Sequence, residues 1–159
     1  MNPPKLLISW EKNAPHAELQ EDDIASAGQV YLTALGLQDV VVNLLLAGDE
    51  TLADLNLRFR DKDGPTDVLS WIYADDPDSD EPWADPEPLY GEIAISLDQV
   101  QTQAAENGWD LRTELLRLLA HGCTHLAGYD HETAPEEREM RAIEIRLLEK
   151  TGLTGIYPP

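Results

Sequence analysis

Three histidines spaced four and then six residues apart, in the run His121-Gly122-Cys123-Thr124-His125-Leu126-Ala127-Gly128-Tyr129-Asp130-His131, constrain this chain more than any other feature. A helix brings residues i and i+4 to one face, about 5 to 6 Å apart at Cβ, so His121 and His125 can offer two imidazoles to a single ion. Gly128 can take the left-handed conformation that ends a helix, after which the chain reverses and His131 can swing back toward the first two. The spacing thus asks for a helix, a glycine stop and a returning loop at one place. Three nitrogens leave one tetrahedral position open, which separates catalytic zinc sites from structural ones that close all four. Such a site lowers the pKa of a bound water to about 7, so hydrolysis is the chemistry expected.

A lone histidine is ordinarily a surface or core residue. Here three of the chain's four histidines, His16 being the other, fall within the one run. The frame HxxxHxxGxxH is similar to that of the metzincin peptidases, which carry Glu after the first His as general base. Gly122 stands there instead, so the base on which that class depends is missing.

At 159 residues with 42% hydrophobic side chains, the chain is expected to form one domain over residues 1–155, followed by a tail, 156–159. A single cysteine, Cys123, excludes an internal disulfide and fits a reducing cytosol. Neither a signal peptide nor an apolar run approaching the roughly 20 residues of a bilayer span is visible, so a cytoplasmic protein without membrane contact is expected. Thirty-one acidic against eleven basic residues give a net charge of -20, which argues against a broad nonspecific grip on nucleic acid. Much of the acid is local. Residues 75 to 87 hold seven carboxylates and three prolines, the composition of a solvated loop.

Periodicity predicts a strand over 5–10, a helix over Glu18 to Leu35 ended by Gly36, and a buried strand over Val40 to Leu46. Asp49 is expected to cap a helix carrying Leu52, Leu55 and Phe59, with a turn over Asp61 to Thr66. Val68 to Tyr73 and Glu92 to Ser96 read as strands, and Leu97 to Glu106 as a helix closing near Gly108. Asp110 is the expected N-cap of the histidine-bearing helix. Thr133-Ala134-Pro135-Glu136 reads as a capping box opening a last amphipathic helix that runs to Gly152. The fold class is α+β, a mixed sheet of about four strands covered by helices: the first two parallel, the pair around the acidic loop antiparallel.

A second constellation lies upstream, in Leu55-Asn56-Leu57-Arg58-Phe59-Arg60-Asp61-Lys62-Asp63-Gly64-Pro65-Thr66-Asp67-Val68-Leu69-Ser70-Trp71. Alone, Arg60 would read as a cation favoured at a helix C-terminus. Together with HGxxHxxGYDH, however, the segment resembles the YbeY family of bacterial endoribonucleases, the rRNA maturation factors, over about residues 40 to 150. The resemblance implies metal ligands at His121, His125 and His131 and a catalytically important arginine at Arg60. It also implies metal-dependent cleavage of single-stranded RNA or precursor rRNA, roles in rRNA maturation and ribosome quality control, and a ribosomal partner. Gly91-Glu92-Ile93 stands where the family has Gly-Asp-Ile, and Cys123 and Thr124 depart further from its pattern.

The ion and a guanidinium would together absorb charge on the nonbridging oxygens, and a planar fork suits Arg60 to that role better than Lys62. Asp130 reads as a carboxylate orienting a ligand ring and Asp67 is another candidate, but neither is assigned as the general base. Cys123 lies about 200° around the helix from His121 and reads as a packed thiol. Arg117, one turn before His121 on the same stripe, could reach substrate, but reads rather as a solvated arginine. Zinc, one ion per chain, is the default metal, and nickel or another divalent transition metal also suits three imidazoles. The competing readings are a metzincin-like metallopeptidase and a noncatalytic ribosome-associated factor whose acidic surface binds basic ribosomal proteins.

Overall fold

The strand Gly91–Ser96 is buried along its whole length, and the rest of the chain is arranged around it. In the computed structural model, residues 2–11, 18–73 and 89–157 are described. His16 and the acidic segment 75–87 lie outside them. In chain order the elements are β1 Lys5–Trp10, α1 Glu21–Ala34, β2 Val41–Ala47, α2 Asp49–Arg60, β3 Val68–Ile72, β4 Gly91–Ser96, α3 Leu97–Asn107, α4 Leu111–Leu126 and α5 Ala134–Lys150. The four strands form one mixed sheet in the order β1-β2-β4-β3. β1 and β2 are parallel, as are β2 and β4, while β3 pairs antiparallel with β4 along one edge.

Alternation along β4 divides the interior. Ile93 and Ile95 point into the larger core with α1, α4 and α5, whereas Ala94 faces the smaller cluster under α2 with Leu52 and Leu69. Leu115, Leu116, Leu118, Leu119 and Leu126 of α4 are all buried. At roughly 1.5 to 3 kcal/mol for each such side chain, α4 is held far more firmly than its propensity alone would hold it. Both of its ends are closed. Asp110 accepts from the Thr113 amide at 2.8 Å, and the Tyr90 hydroxyl donates to the Leu126 carbonyl at 3.1 Å.

The capping box at Thr133 and Glu136 is present. Gly48, not Asp49, is the N-cap of α2. The Asp49 carboxylate is taken instead by donors from another part of the chain, Ser96 Oγ at 2.8 Å and Gln99 Nε2 at 3.0 Å. Within the expected tail, Ile156 and Tyr157 pack on the larger core. No helix among the described residues is long and apolar enough to cross a membrane.

Candidate metal centre and cleft

His121 and His125 lie one turn apart on α4, and the chain then turns back over Gly128, whose φ of 99° is open to glycine without strain. This reversal carries His131 to the pair. The ring centroids are 4.7 Å apart for His121 and His125, 5.1 Å for His125 and His131, and 5.5 Å for His121 and His131. One ring nitrogen from each lies within 4.8 Å of the others, so the three could hold one metal ion. Burial first, and the neighbouring His121 and His131 second, press the His125 pKa down to about 4, which keeps its ring neutral and its lone pair free at neutral pH.

Sequence reasoning missed the carboxylate that orients this cluster. Glu144 of α5, 4% exposed, accepts the Nδ1 hydrogen of His121 at 2.7 Å, leaving Nε2 as the donor atom for a ligand. The Tyr157 hydroxyl donates to the same oxygen at 3.3 Å. Burial, then the Glu144 charge, raises the Tyr157 pKa to about 12, so it stays protonated. A signal was present: Glu144 falls within the apolar stripe of Met140, Leu147 and Leu148, where a carboxylate needs a buried partner. Asp130 has a different task from the one expected. Its Oδ1 accepts from the backbone amide of His131 at 2.8 Å, which shapes the loop and leaves ring orientation to Glu144.

The histidines open into a cleft of about 760 Å³ between α4, the loop after it, α5, and the chain from the end of α2 along β3. Arg60 lies on its wall, as do Lys62 and Asp67. Arg60 is placed there by a left-handed stop at Asp61, φ 53°, and by Asn56, whose amide donates to the Gly64 carbonyl at 2.9 Å. Arg58, in contrast, points outward to Asp54 at 3.6 Å.

Arg117 is not the solvated residue expected. It lines the cleft with its side chain 22% exposed, while its Nε and one Nη donate to Glu114 at 2.9 and 2.6 Å. Burial works against its charge, but the Glu114 hydrogen bonds and charge prevail and raise its pKa further. Cys123 is buried and points into the core as expected, its thiol pKa pushed up by desolvation. Thr124 is also buried, its hydroxyl returned to the Ala120 carbonyl at 2.7 Å, so neither departure from the family pattern touches the histidines.

Gly122 faces the sheet. A Cβ there would meet Ile93 Cγ2 at 2.9 Å, so a side chain at 122 would enter the core and not the cleft. The peptidase base has no room at this position.

A family model described as Endoribonuclease YbeY matches residues 8–152. The chain belongs to the YbeY family. A YbeY endoribonuclease of Aquifex aeolicus is 35% identical over 147 residues, covering 92% of this chain and 91% of that protein. One from Roseiflexus is 44% identical over 116 residues, 72% of each chain. One from Anaeromyxobacter is 41% identical over 79% of this chain, but this chain spans only 62% of that relative's length. The solution structure of TM1509 from Thermotoga maritima matches over 92% of this chain and 91% of its own, with a TM-score of 0.55 and 27% identity. The YbeY match takes in both the histidine run and the segment ending in Arg60.

Proposed function

We propose that this YbeY-family chain is a metal-dependent endoribonuclease that cleaves single-stranded RNA in the cytoplasm, acting in rRNA maturation and ribosome quality control. The observation that carries it is the convergence of three histidines, one braced by a buried carboxylate, at the floor of a cleft lined by four of the chain's eleven basic residues. The activity is that named for its relatives in Aquifex and Roseiflexus.

The donor set suits zinc: three imidazoles, of which His121 is fixed in orientation by Glu144 and His125 is held neutral. His121, His125 and His131 would hold the ion, and nickel or another divalent transition metal would fit the same nitrogens. When bound, such an ion supplies Lewis acidity toward a phosphodiester and acidifies water at its open position. Arg60, which makes no ion pair among the described residues, binds nonbridging phosphate oxygens and stabilises the charge that grows on them. Lys62 adds a point charge on the same wall. The ribosome or its proteins bring precursor rRNA within reach of a chain whose net charge of -20 does not draw RNA from afar.

The test sets metal-loaded protein against labelled single-stranded RNA, duplex RNA and casein in parallel, with elemental analysis of the purified chain. Metal-dependent cutting of the single strand alone is the expected result. Casein digestion without RNA cleavage would replace this reading with the peptidase. A folded, metal-loaded protein that cuts neither would leave the noncatalytic ribosome-associated factor.

A further inference from the structure

Arg117 of α4 is a further guanidinium on the wall of the cleft. Arg117 lies one helical turn before His121, so both side chains leave the same face of α4. Its partner Glu114 is fully buried and receives two further donors, Gln103 Nε2 at 2.5 Å and Trp109 Nε1 at 3.2 Å. Three side chains therefore fix this carboxylate, and two parallel hydrogen bonds fix the guanidinium to it. A guanidinium has five N–H donors, and Glu114 takes two of Arg117's. Tyr157 is a further partner of this guanidinium, which forms part of the cleft wall with its side chain 22% exposed. In this pair the acid is sealed and the base reaches the cleft.

The geometry points to a phosphate-binding subsite on the α4 wall, in which Arg117, immobilised by Glu114, receives the phosphodiester neighbouring the one held at the histidines and Arg60. The inference rests on the nucleolytic reading and adds a direction to it. RNA would run across the cleft from the Arg60 wall to the Arg117 wall, with at least two successive phosphates engaged. A fork already locked in place loses little side-chain entropy on meeting a phosphate, which favours an arginine here over a free lysine. The neighbouring phosphate does not react, so its contact holds substrate and transition state alike. Its loss should appear in KM and leave kcat nearly unchanged.

The test uses the zinc-loaded full chain and a short fluorescent 2′-O-methyl oligonucleotide, checked on a gel for integrity, with binding followed by anisotropy between about 50 and 200 mM salt. Each phosphate contact to a single strand contributes about 0.7 to the slope of log affinity against log salt. Arg117→Gln is expected to lower that slope by about 0.7 and to raise KM for RNA roughly five- to tenfold with kcat within about twofold. Arg117→Lys, which keeps the charge, is expected to restore the slope. Because Arg117→Gln strands a buried carboxylate, the double variant with Glu114→Gln is measured beside it, and melting curves report folding. Folded variants whose slope and KM match the parent would overturn the subsite and leave the nuclease standing, as would a lower melting temperature with the slope unmoved. A parent chain that neither binds nor cleaves RNA would overturn the nucleolytic reading itself.

Discussion

Replacing Glu144 isolates what the buried carboxylate does for the metal centre. It accepts the His121 Nδ1 hydrogen at 2.7 Å from a position 4% exposed, so solvent cannot stand in for it. A hydrogen bond to a charged acceptor contributes about 1.5 to 3 kcal/mol, against about 0.5 to 1.5 kcal/mol for a neutral one. Glu144→Gln keeps the volume and an acceptor oxygen but loses the charge, a difference of about 1 to 1.5 kcal/mol that corresponds to roughly five- to tenfold in affinity. Glu144→Leu removes the acceptor and frees the ring to rotate. Its cost should approach the upper end of the 10- to 100-fold range seen when such orienting groups are lost from metal sites. The assay is competition for zinc against a chromophoric chelator at fixed pH, with circular dichroism of the metal-free proteins as the folding control. If the folded Gln and Leu variants both hold zinc as tightly as the parent, His121 is not oriented by Glu144 in any way that matters to a metal, and the three-histidine site loses its main structural support.

Arg60→Ala should leave the zinc dissociation constant within about twofold but lower kcat for RNA by about 100-fold or more, the scale of losing a group that stabilises transition-state charge; unchanged cleavage would remove Arg60 from the reaction. Gly122→Ala should destabilise by about 1 to 3 kcal/mol through overpacking against Ile93, read by urea unfolding, because the added Cβ falls 2.9 Å from Cγ2. Asp110→Ala should cost about 1 kcal/mol at neutral pH by uncapping α4, whereas Asp110→Asn keeps most of that capping energy. The Asp110 pKa is lowered in the fold, chiefly by its hydrogen bonds from Thr113, so its charge-dependent stabilisation is present above the ordinary value of about 3.9 and is lost as pH falls through the depressed one. The gap between the acid unfolding curves of the parent and the Ala variant should therefore narrow as pH falls from about 3.9 through the depressed pKa, and a constant gap would refute the assignment.

What could be read from the sequence was what depends on local geometry. Two histidines at i and i+4, a glycine three residues on and a third histidine after the reversal need no knowledge of the remaining fold to meet, and they do meet. Strand directions followed from the lengths of the connections. Sites assembled across elements were harder to see. Glu144 reaches His121 only because α5 packs along α4, and the clue was a carboxylate in an apolar stripe, which names a need for a partner without naming the partner. Asp49 misled for the same reason. Its side chain has the chemistry of a cap, but Ser96 and Gln99, brought close by β4 joining β2, compete for it more effectively than its own helix does. Arg117 read as solvated because helical periodicity shows which face it occupies but not that a buried Glu114 waits three residues earlier.

The strongest objection to an RNA substrate, a net charge of -20, concerns distance more than contact. At physiological ionic strength the Debye length is about 8 Å, so exposed carboxylates farther than that from the cleft contribute little to a phosphate already seated in it. Arg60, Lys62, Arg117 and Arg141 line that cleft beside Asp67, Asp130, Glu132, Glu137 and Glu144, so its side chains alone are not net basic and the charge of a bound divalent ion would tip the balance. Two of those carboxylates are already engaged in hydrogen bonds, Glu144 with His121 and Asp130 with the His131 amide. A cleft in which positive charge is confined to a few arginines, a lysine and the place of an ion, on a globally acidic surface, binds weakly from afar and specifically at close range. Nonspecific capture of RNA scales with the overall field, whereas recognition of a strand threaded past the histidines scales with the few cations that line the cleft. Under the proposed function, that division would give selectivity for single strands amid abundant structured RNA, because the acidic surface does not hold the rest.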